Sequence, residues 1–165
     1  MKRQDITYQD KLNELKLDLS HPNSKGICFV LLEGETDVRL FRKFFDLTNS
    51  KVENIPGGNP KLEDAVLELL SIYDLVIGIR DSDFINLNSI KYSKPNMFLT
   101  DFHDMEMSLI SQHDTISTTT IEFTEIKKER SNLIVDEIIK TLENLSLLKW
   151  LNNIENLSIS FERTG

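Results

Sequence analysis

The sequence has few of the residues that cross-link or interrupt a chain. Its 165 residues include one cysteine, four prolines, six glycines and one tryptophan. The single Cys28 cannot form an intramolecular disulfide and is too few for a zinc–thiolate site, which favours a reducing, cytoplasmic location. The low proline and glycine content excludes collagen-like and low-complexity chains, and with 39% hydrophobic residues we predict an ordinary folded core.

Long apolar stretches are also lacking. The longest uninterrupted apolar run covers residues 27–32, whereas a membrane-spanning helix needs about 20 such residues. The chain begins MKRQDITYQDKLNELK, without the apolar core of a secretory signal peptide. We therefore predict neither a membrane span nor a signal peptide in this sequence.

Positive charge is scarce relative to negative charge. With 19 lysines and arginines against 27 aspartates and glutamates, the formal net charge is −8 and the sequence pI is about 4.9. A broad basic face for nucleic acid is therefore disfavoured, because such faces hold the phosphate backbone through lysine and arginine. If phosphate is a ligand here, a divalent metal ion or a partner protein must supply positive charge.

Strand and helix patterns alternate along the first two thirds of the chain. Apolar runs predict strands at 27–33, 75–83 and 97–100, and a second short strand is predicted at 51–55. Apolar residues at helical spacing predict helices at 6–18, 36–47 and 62–73, and Thr36 is available as the N-cap of the second helix. This alternation predicts an α/β fold, with a mostly parallel, Rossmann-like sheet and helices on both faces.

The last third of the chain is predicted to be mainly helical. Residues 122–154 carry an apolar stripe at helical spacing, and the alternation of apolar residues with serine at 157–161 predicts a further strand. We expect three segments along the chain. They are an N-terminal helix and turn at 1–24, the α/β domain at 25–115, and a helical, partial C-terminal module at 116–165.

Carboxylates follow two of the predicted buried strands. Glu33 ends the first strand, with Asp37 four residues later, and Asp81 and Asp83 end the third strand. Carboxylates gathered at one edge of a sheet repel each other unless a cation lies between them. Oxygen ligands without thiolates select Mg²⁺ or Mn²⁺ rather than zinc. The sequence therefore predicts a magnesium or manganese site at this edge, where parallel sheets bind their ligands.

Structural roles remain open for each of these acids. Glu33 has Arg80 as an alternative ion-pair partner, and Asp83 alone could cap the turn that follows it. Glu35 is suited to the first turn of a helix, where the helix dipole favours negative charge.

The two acidic motifs resemble the TOPRIM domain of topoisomerases, primases and OLD-type nucleases. The matching segments are FVLLEGETD at 29–37 and VIGIRDSDF at 76–84. This resemblance implies that Glu33 acts as general acid or base and that Asp81 and Asp83 hold Mg²⁺. It also implies a TOPRIM-type sheet for the α/β domain.

Further segments resemble a bacterial TOPRIM-like family found beside ABC-type ATPases, which includes the effector subunit of PARIS-type antiphage systems. They are PGGNPK, followed by a predicted helix, and FLTDFHDMEMSLI at 98–110. Asp37 matches the additional acidic position of OLD-like members, which use two metal ions. The resemblance therefore implies an antiviral effector nuclease that works with an ABC- or OLD-type ATPase partner.

Three more residues are candidates from their positions. Glu106 follows the last predicted strand and is best placed to contribute to a second metal ion. His103 would orient water or phosphate, although a lone histidine is more often an ordinary polar residue. Lys61 lies just after the Gly-Gly turn at a helix start and would meet a phosphate there, although an exposed lysine serves solubility equally well.

The favoured function is metal-dependent cleavage of phosphodiester bonds in DNA or tRNA. A non-catalytic TOPRIM module that binds a basic partner is the main alternative. A haloacid dehalogenase-like phosphotransfer domain would use Asp81 as nucleophile, but Phe84 replaces the usual Thr or Val and the strand is the third rather than the first. A receiver-type signalling domain fits less well, because its paired acids follow the first strand. The sequence leaves open whether the chain forms a homodimer.

Overall fold

The computed structural model describes residues 6–111, 118–119, 122, 125 and 128–161. The chain divides into two compact units. The first unit contains the described residues of Met1–Ser82 together with Ile90–Asp101, and the second contains those of Asp83–Ser89 and Phe102–Gly165. Each unit is therefore built from two separate chain segments rather than from one continuous stretch.

The first unit is an α/β fold with a four-stranded, all-parallel, Rossmann-like sheet in the order β2-β1-β3-β4. Its strands are β1 (Cys28–Leu32), β2 (Ser50–Asn54), β3 (Val76–Arg80) and β4 (Met97–Leu99). Its helices are α1 (Tyr8–Ser20), α2 (Glu35–Phe41) and α3 (Asn59–Leu70). The central strand β1 pairs Leu32 with Asn54 of β2 and with Ile79 of β3, so all three strands end at one edge. The predicted fold class is confirmed.

Apolar side chains pack on both faces of this sheet because successive residues of a strand point to opposite faces. Phe29 and Leu31 of β1 pack on the face covered by α1 and α3, in a core that includes Leu15 and Leu62. The opposite face holds a smaller core beneath α2. It consists of Val30, Leu32, Val38 and Val52. Helices therefore cover both faces, as the continuous apolar runs predict.

The start of α2 differs from the sequence prediction. Gly34, rather than Thr36, is the N-cap, and the helix ends at Phe41 instead of reaching residue 47. The Asp37 carboxylate accepts a hydrogen bond from the Gly34 backbone N–H at 3.2 Å. Asp37 is the third residue of the helix, so a side chain of the first turn bonds the N–H of the N-cap residue. Thr36 is therefore already within the first turn, and the prediction that it caps the helix is wrong.

For the second unit, the structure gives the bounds of α4 (Met105–Ile110) and α5 (Lys128–Glu155). Of the predicted helical segment 122–154, residues 122 and 128–154 are helical, residue 125 is not, and the others lie outside the described residues. The predicted strand at 157–161 is wrong, because residues 157–161 are irregular. The amide of Asn152 bonds both the N–H and the C=O of Ile159, at 2.9 and 3.1 Å, and so occupies the backbone groups that a strand partner would use.

The helices of the described chain carry too many polar residues for a membrane. No described helix combines the length and the apolar character needed to cross a bilayer. The longest of them, α5, has charged residues distributed along its length, among them Asp136, Glu143 and Lys149.

Candidate carboxylate site

Glu33 lies at the carboxyl end of the central strand β1. The ladder to β2 continues one step past the strand, since the Ile55 N–H donates to the Leu32 carbonyl at 2.7 Å. Beside Glu33 lies the turn that begins α3. A Cβ atom at Gly58, whose φ is +82°, would lie 3.7 Å from Glu33 Oε1. The Glu33 carboxylate is thus next to the N-cap of α3, where the helix dipole favours negative charge.

Asp37 faces the Gly34 turn directly after Glu33. A Cβ atom at Gly34 would lie only 2.7 Å from Asp37 Oδ2, so the close approach of this carboxylate requires glycine at position 34. Asp37 therefore has a structural role as the inner cap of α2.

Asp81 is the first residue after β3, the strand next to β1. Its backbone carbonyl accepts a hydrogen bond from Arg80 Nε at 3.0 Å. The following N–H, that of Ser82, donates to Thr100 Oγ1 at 3.0 Å, and Ser82 is fully buried. The main chain at the end of β3 is therefore held by side chains on both sides.

Arg80 belongs to a charged cluster under the carboxyl ends of the strands. Its Nη1 lies 2.9 Å from Glu63 Oε1 on α3, and Tyr92 donates its hydroxyl to the same oxygen at 2.8 Å. Lys94 Nζ lies 3.8 Å from Glu63 Oε2. The Glu63 and Arg80 side chains are only 16% and 12% exposed, so solvent screens this pair weakly.

Two pKa values in this cluster are displaced in opposite directions. Burial acts to raise the pKa of Glu63, but hydrogen bonds from Tyr92 and Arg80 and the nearby positive charges outweigh it, so this pKa lies below its ordinary value. Burial and the adjacent Glu63 raise the pKa of Tyr92 well above its usual range. Glu63 therefore stays ionised and Tyr92 stays protonated around neutral pH.

Lys61 lies in the first turn of α3, as predicted, and its side chain is about half exposed. Its Nζ is 3.5 Å from Asp64 Oδ2 and 4.9 Å from the centre of the Tyr8 ring. Both contacts are weak and solvent-exposed, so they give this side chain little orientation. The structure thus places Lys61 on the surface of the first unit, where its phosphate-binding role stays a prediction.

The remaining candidates belong to the second unit. Asp83 has a left-handed φ of +46°, and its N–H donates to the His103 carbonyl at 2.8 Å. The His103 ring contacts Phe84 edge to face at 5.0 Å and lies 3.1 Å from Asp104 Oδ2 through Nδ1. Asp104 also caps α4 by accepting from the Met107 N–H at 2.7 Å. Glu106 is exposed in the first turn of that helix.

The structure thus distributes the predicted site over two units. Glu33, Asp37 and Asp81 lie in the first unit, while Asp83 and Glu106 lie in the second. In the part of the chain that is described, no group of three or more histidine, cysteine, aspartate or glutamate side chains is placed to hold a metal ion.

The donor chemistry nevertheless suits a hard cation. Mg²⁺ in enzymes is typically held by one or two carboxylates and completes its shell with water and substrate phosphate. Glu33 and Asp81 follow neighbouring parallel strands and are both partly buried. They would be the residues of the first unit to hold Mg²⁺ or Mn²⁺, with Asp37 as a further carboxylate.

A cavity of about 460 Å³ lies elsewhere in the first unit, between α1, α2 and β2. Its charged lining has three acids and three bases, which are Glu14, Glu35, Glu53, Lys11, Arg39 and Arg42. Lys11, nearly buried, bonds Glu53 at 2.8 Å inside it. This balance of charge gives the cavity no preference for an anion or a cation. None of the predicted site residues lines it.

Sequence reasoning missed two features of this site. Gly58 was part of a predicted turn, but nothing local indicated that the turn lies against Glu33. Glu63 and Tyr92 carry no motif, and only their contact with Arg80 in the folded chain distinguishes them. The apolar helical pattern around Glu63 was a usable signal, since an acid beside a buried helix face needs a partner.

Comparison with known proteins adds no relative to this description. No protein-family model matches the chain. No curated protein and no solved structure matches it either.

Proposed function

We propose that the chain is a TOPRIM-like, Mg²⁺- or Mn²⁺-dependent nuclease subunit that cleaves phosphodiester bonds in DNA or tRNA. The observation that carries this proposal is the pair of carboxylates, Glu33 and Asp81, at the ends of two adjacent strands of an all-parallel sheet. Ligands of such sheets bind at this edge. The resemblance of residues 29–37 and 76–84 to TOPRIM motifs supports the same reading.

The proposed chemistry assigns separate tasks to the carboxylates. A bound Mg²⁺ would stabilise the negative charge of the reacting phosphate and lower the pKa of the attacking water. Asp81 would hold the ion, with Asp37 as a further carboxylate. Glu33 takes the proton from the water at a carboxylate oxygen and can return one to the leaving group. The negative charge that this base needs is favoured by the neighbouring N-terminus of α3.

The setting we propose is cytoplasmic antiviral defence with an ABC- or OLD-type ATPase as partner. The lone Cys28 suits a reducing compartment, where disulfides are rare. The net charge of −8 suits a subunit that relies on a metal ion or a partner to bind nucleic acid. The partner assignment rests on the resemblance to families encoded beside such ATPases.

The test is cleavage of plasmid, single-stranded DNA and total tRNA with Mg²⁺ or Mn²⁺. We expect metal-dependent cleavage by the wild type and a loss of at least about 100-fold in Glu33→Gln, as general acid–base catalysis contributes that much. Asp81→Asn removes a proposed metal ligand and should also abolish the metal-dependent cleavage. Asp74→Asn is the matched control. Asp74 is exposed just before β3, at the opposite end of the strand that Asp81 follows.

Each outcome of this experiment supports or rejects one of the proposed functions. Cleavage that persists unchanged in Asp81→Asn and Glu33→Gln would reject these residues as the active site. Equal losses in Asp74→Asn would indicate a general effect of charge rather than catalysis. No cleavage, either alone or with the cognate ATPase added, would reject the nuclease proposal and favour the second candidate.

That second candidate is a non-catalytic TOPRIM-like module that binds a basic partner surface. It is favoured by one observation: among the described residues, no three metal-binding side chains come together. Acidic residues on such a module would give specificity and speed of association through complementary charge. Binding to a basic partner that is weakened by Asp81→Asn but insensitive to chelation of divalent ions would support this candidate.

A further inference from the structure

Both polar groups of the peptide unit after Asp81 are hydrogen-bonded to side chains. The Asp81 carbonyl accepts from Arg80 Nε, and the Ser82 N–H donates to Thr100 Oγ1, each at 3.0 Å. Two bonds to one planar peptide unit fix the orientation of its plane. This orientation determines the main-chain direction from which the Asp81 side chain projects.

The Arg80 side chain that makes one of these bonds is oriented by further contacts. The guanidinium group is planar, so fixing Nη1 on Glu63 Oε1 at 2.9 Å also aims Nε at the Asp81 carbonyl. Tyr92 donates to the same Glu63 oxygen, and its ring lies 5.8 Å from Arg80 Cζ. Arg80 is therefore held by an acid from α3 and by an aromatic ring from the segment that leads into β4.

We propose that Glu63, Arg80, Tyr92 and Thr100 form a peptide clamp that positions Asp81 as a metal ligand. The inference rests on the proposed function, in which Asp81 holds Mg²⁺ or Mn²⁺. Residues that orient a metal ligand without touching the metal commonly change metal affinity by about 10- to 100-fold when mutated. Glu63 and Tyr92 are thus positioning residues, acting through Arg80.

Direct metal binding tests the clamp without relying on activity. The full chain is titrated with Mn²⁺, and free Mn²⁺ is measured by its electron paramagnetic resonance signal. We expect Glu63→Ala to weaken Mn²⁺ binding by about 10-fold. Glu63→Gln keeps an oxygen that accepts from Arg80 and Tyr92, so it should restore most of the affinity.

Glu53→Ala is the matched control for Glu63→Ala. The Glu53 side chain is 17% exposed and lies 2.8 Å from the nearly buried Lys11, while Glu63 is 16% exposed and lies 2.9 Å from Arg80. Both substitutions therefore remove an acid from a nearly buried cation. Only Glu63 is connected to the Asp81 carbonyl, so Glu53→Ala should lower stability but leave Mn²⁺ affinity unchanged.

A milder substitution with its own control tests the proposal if Glu63→Ala does not fold. Tyr92→Phe removes only the hydroxyl that bonds Glu63 and should weaken Mn²⁺ binding by a smaller factor. Tyr73→Phe is its control, because the Tyr73 hydroxyl bonds the Ser24 and Ile27 carbonyls before β1 begins. Loss of affinity in Tyr73→Phe equal to that in Tyr92→Phe would overturn the clamp.

Failure of the clamp and failure of the proposed function give different results. Wild-type Mn²⁺ affinity in Asp81→Asn would show that Asp81 is not a ligand, and both ideas would fall. Loss of binding in Asp81→Asn together with wild-type affinity in folded Glu63→Ala or Tyr92→Phe would reject only the clamp.

Discussion

At the scale of single residues, buried charge in the first unit is paired with specific partners. Lys11 is nearly buried between Glu14 and Glu53, and Arg80 is nearly buried beside Glu63. Removing one partner of such a pair leaves an uncompensated charge, which costs more than the pair itself contributes. Replacing the acid of either pair should therefore lower the stability of the protein, whether or not that acid has a catalytic role.

The lowered pKa of Glu63 predicts a pH-dependent contribution to stability. Because its folded pKa lies below the unfolded value of about 4.3, the ionised carboxylate stabilises the fold fully above that value. The contribution is lost as the pH falls through the lower, folded pKa. Compared with Glu63→Gln, the wild type should therefore be stabilised at pH 7 and lose this advantage below about pH 4.

Urea unfolding of both proteins between pH 7 and 3 measures this difference. Asp10 and Asp46, whose pKa values are also lowered, are present in both proteins and cancel in the comparison. A stability difference that stays constant down to pH 3 would contradict the prediction.

At the scale of elements, the contact between α3 and the sheet depends on the absence of a side chain in β3. A Cβ atom at Gly78 would lie 2.3 Å from Met97 Sδ and 2.7 Å from Val66 Cγ2. Met97 is long and adaptable, but the branched Val66 side chain on α3 has little freedom to move. Glycine at this position lets α3 pack closely over the strand that carries Asp81.

Gly78→Ala should therefore destabilise the protein by about 1–3 kcal/mol, the usual cost of overpacking a core. Urea unfolding measures the change. The double variant Gly78→Ala, Val66→Ala should be more stable than the sum of the single effects predicts, because the clashing methyl group is gone. Strict additivity of the two substitutions would show that the clash with Val66 is not the cause.

The same scale shows what sequence patterns could and could not establish. The strands were predictable because continuous apolar runs are needed on a sheet buried on both faces. The start of α2 and the segment 157–161 were not, because each depends on one polar side chain, Asp37 or Asn152, bonding the backbone. The acids Glu33 and Asp81 could be placed at one edge of the sheet. The partners of Arg80 could not be predicted, because they come from α3 and from residue 92.

At the scale of the whole molecule, burial is confined to the first unit. Its core includes Phe29, Leu31 and Leu69, each at most 1% exposed. No described residue of the second unit is buried, and α5 exposes apolar side chains such as Leu133 and Leu147 by more than half. Global stability should therefore come mainly from the first unit.

Hydrogen exchange measured by mass spectrometry should reflect this contrast. We expect amides of β1 and α3 to exchange slowest, through global unfolding, and amides of α5 to exchange much faster through local opening. Addition of urea below the unfolding transition should accelerate exchange in β1 but leave α5 little changed. Equal protection of α5 and β1 would show that the second unit unfolds only together with the first.

The boundary between the units has a consequence for how such a protein can be recombined. It passes between Ser82 and Asp83, inside the motif Asp81-Ser82-Asp83, then between Ser89 and Ile90, and again after Asp101. An exchange of gene segments at the first boundary would give one half of the acidic motif to each recombinant. The two units alternate along the chain between residues 82 and 102, so natural or engineered chimaeras should have their junctions outside this stretch.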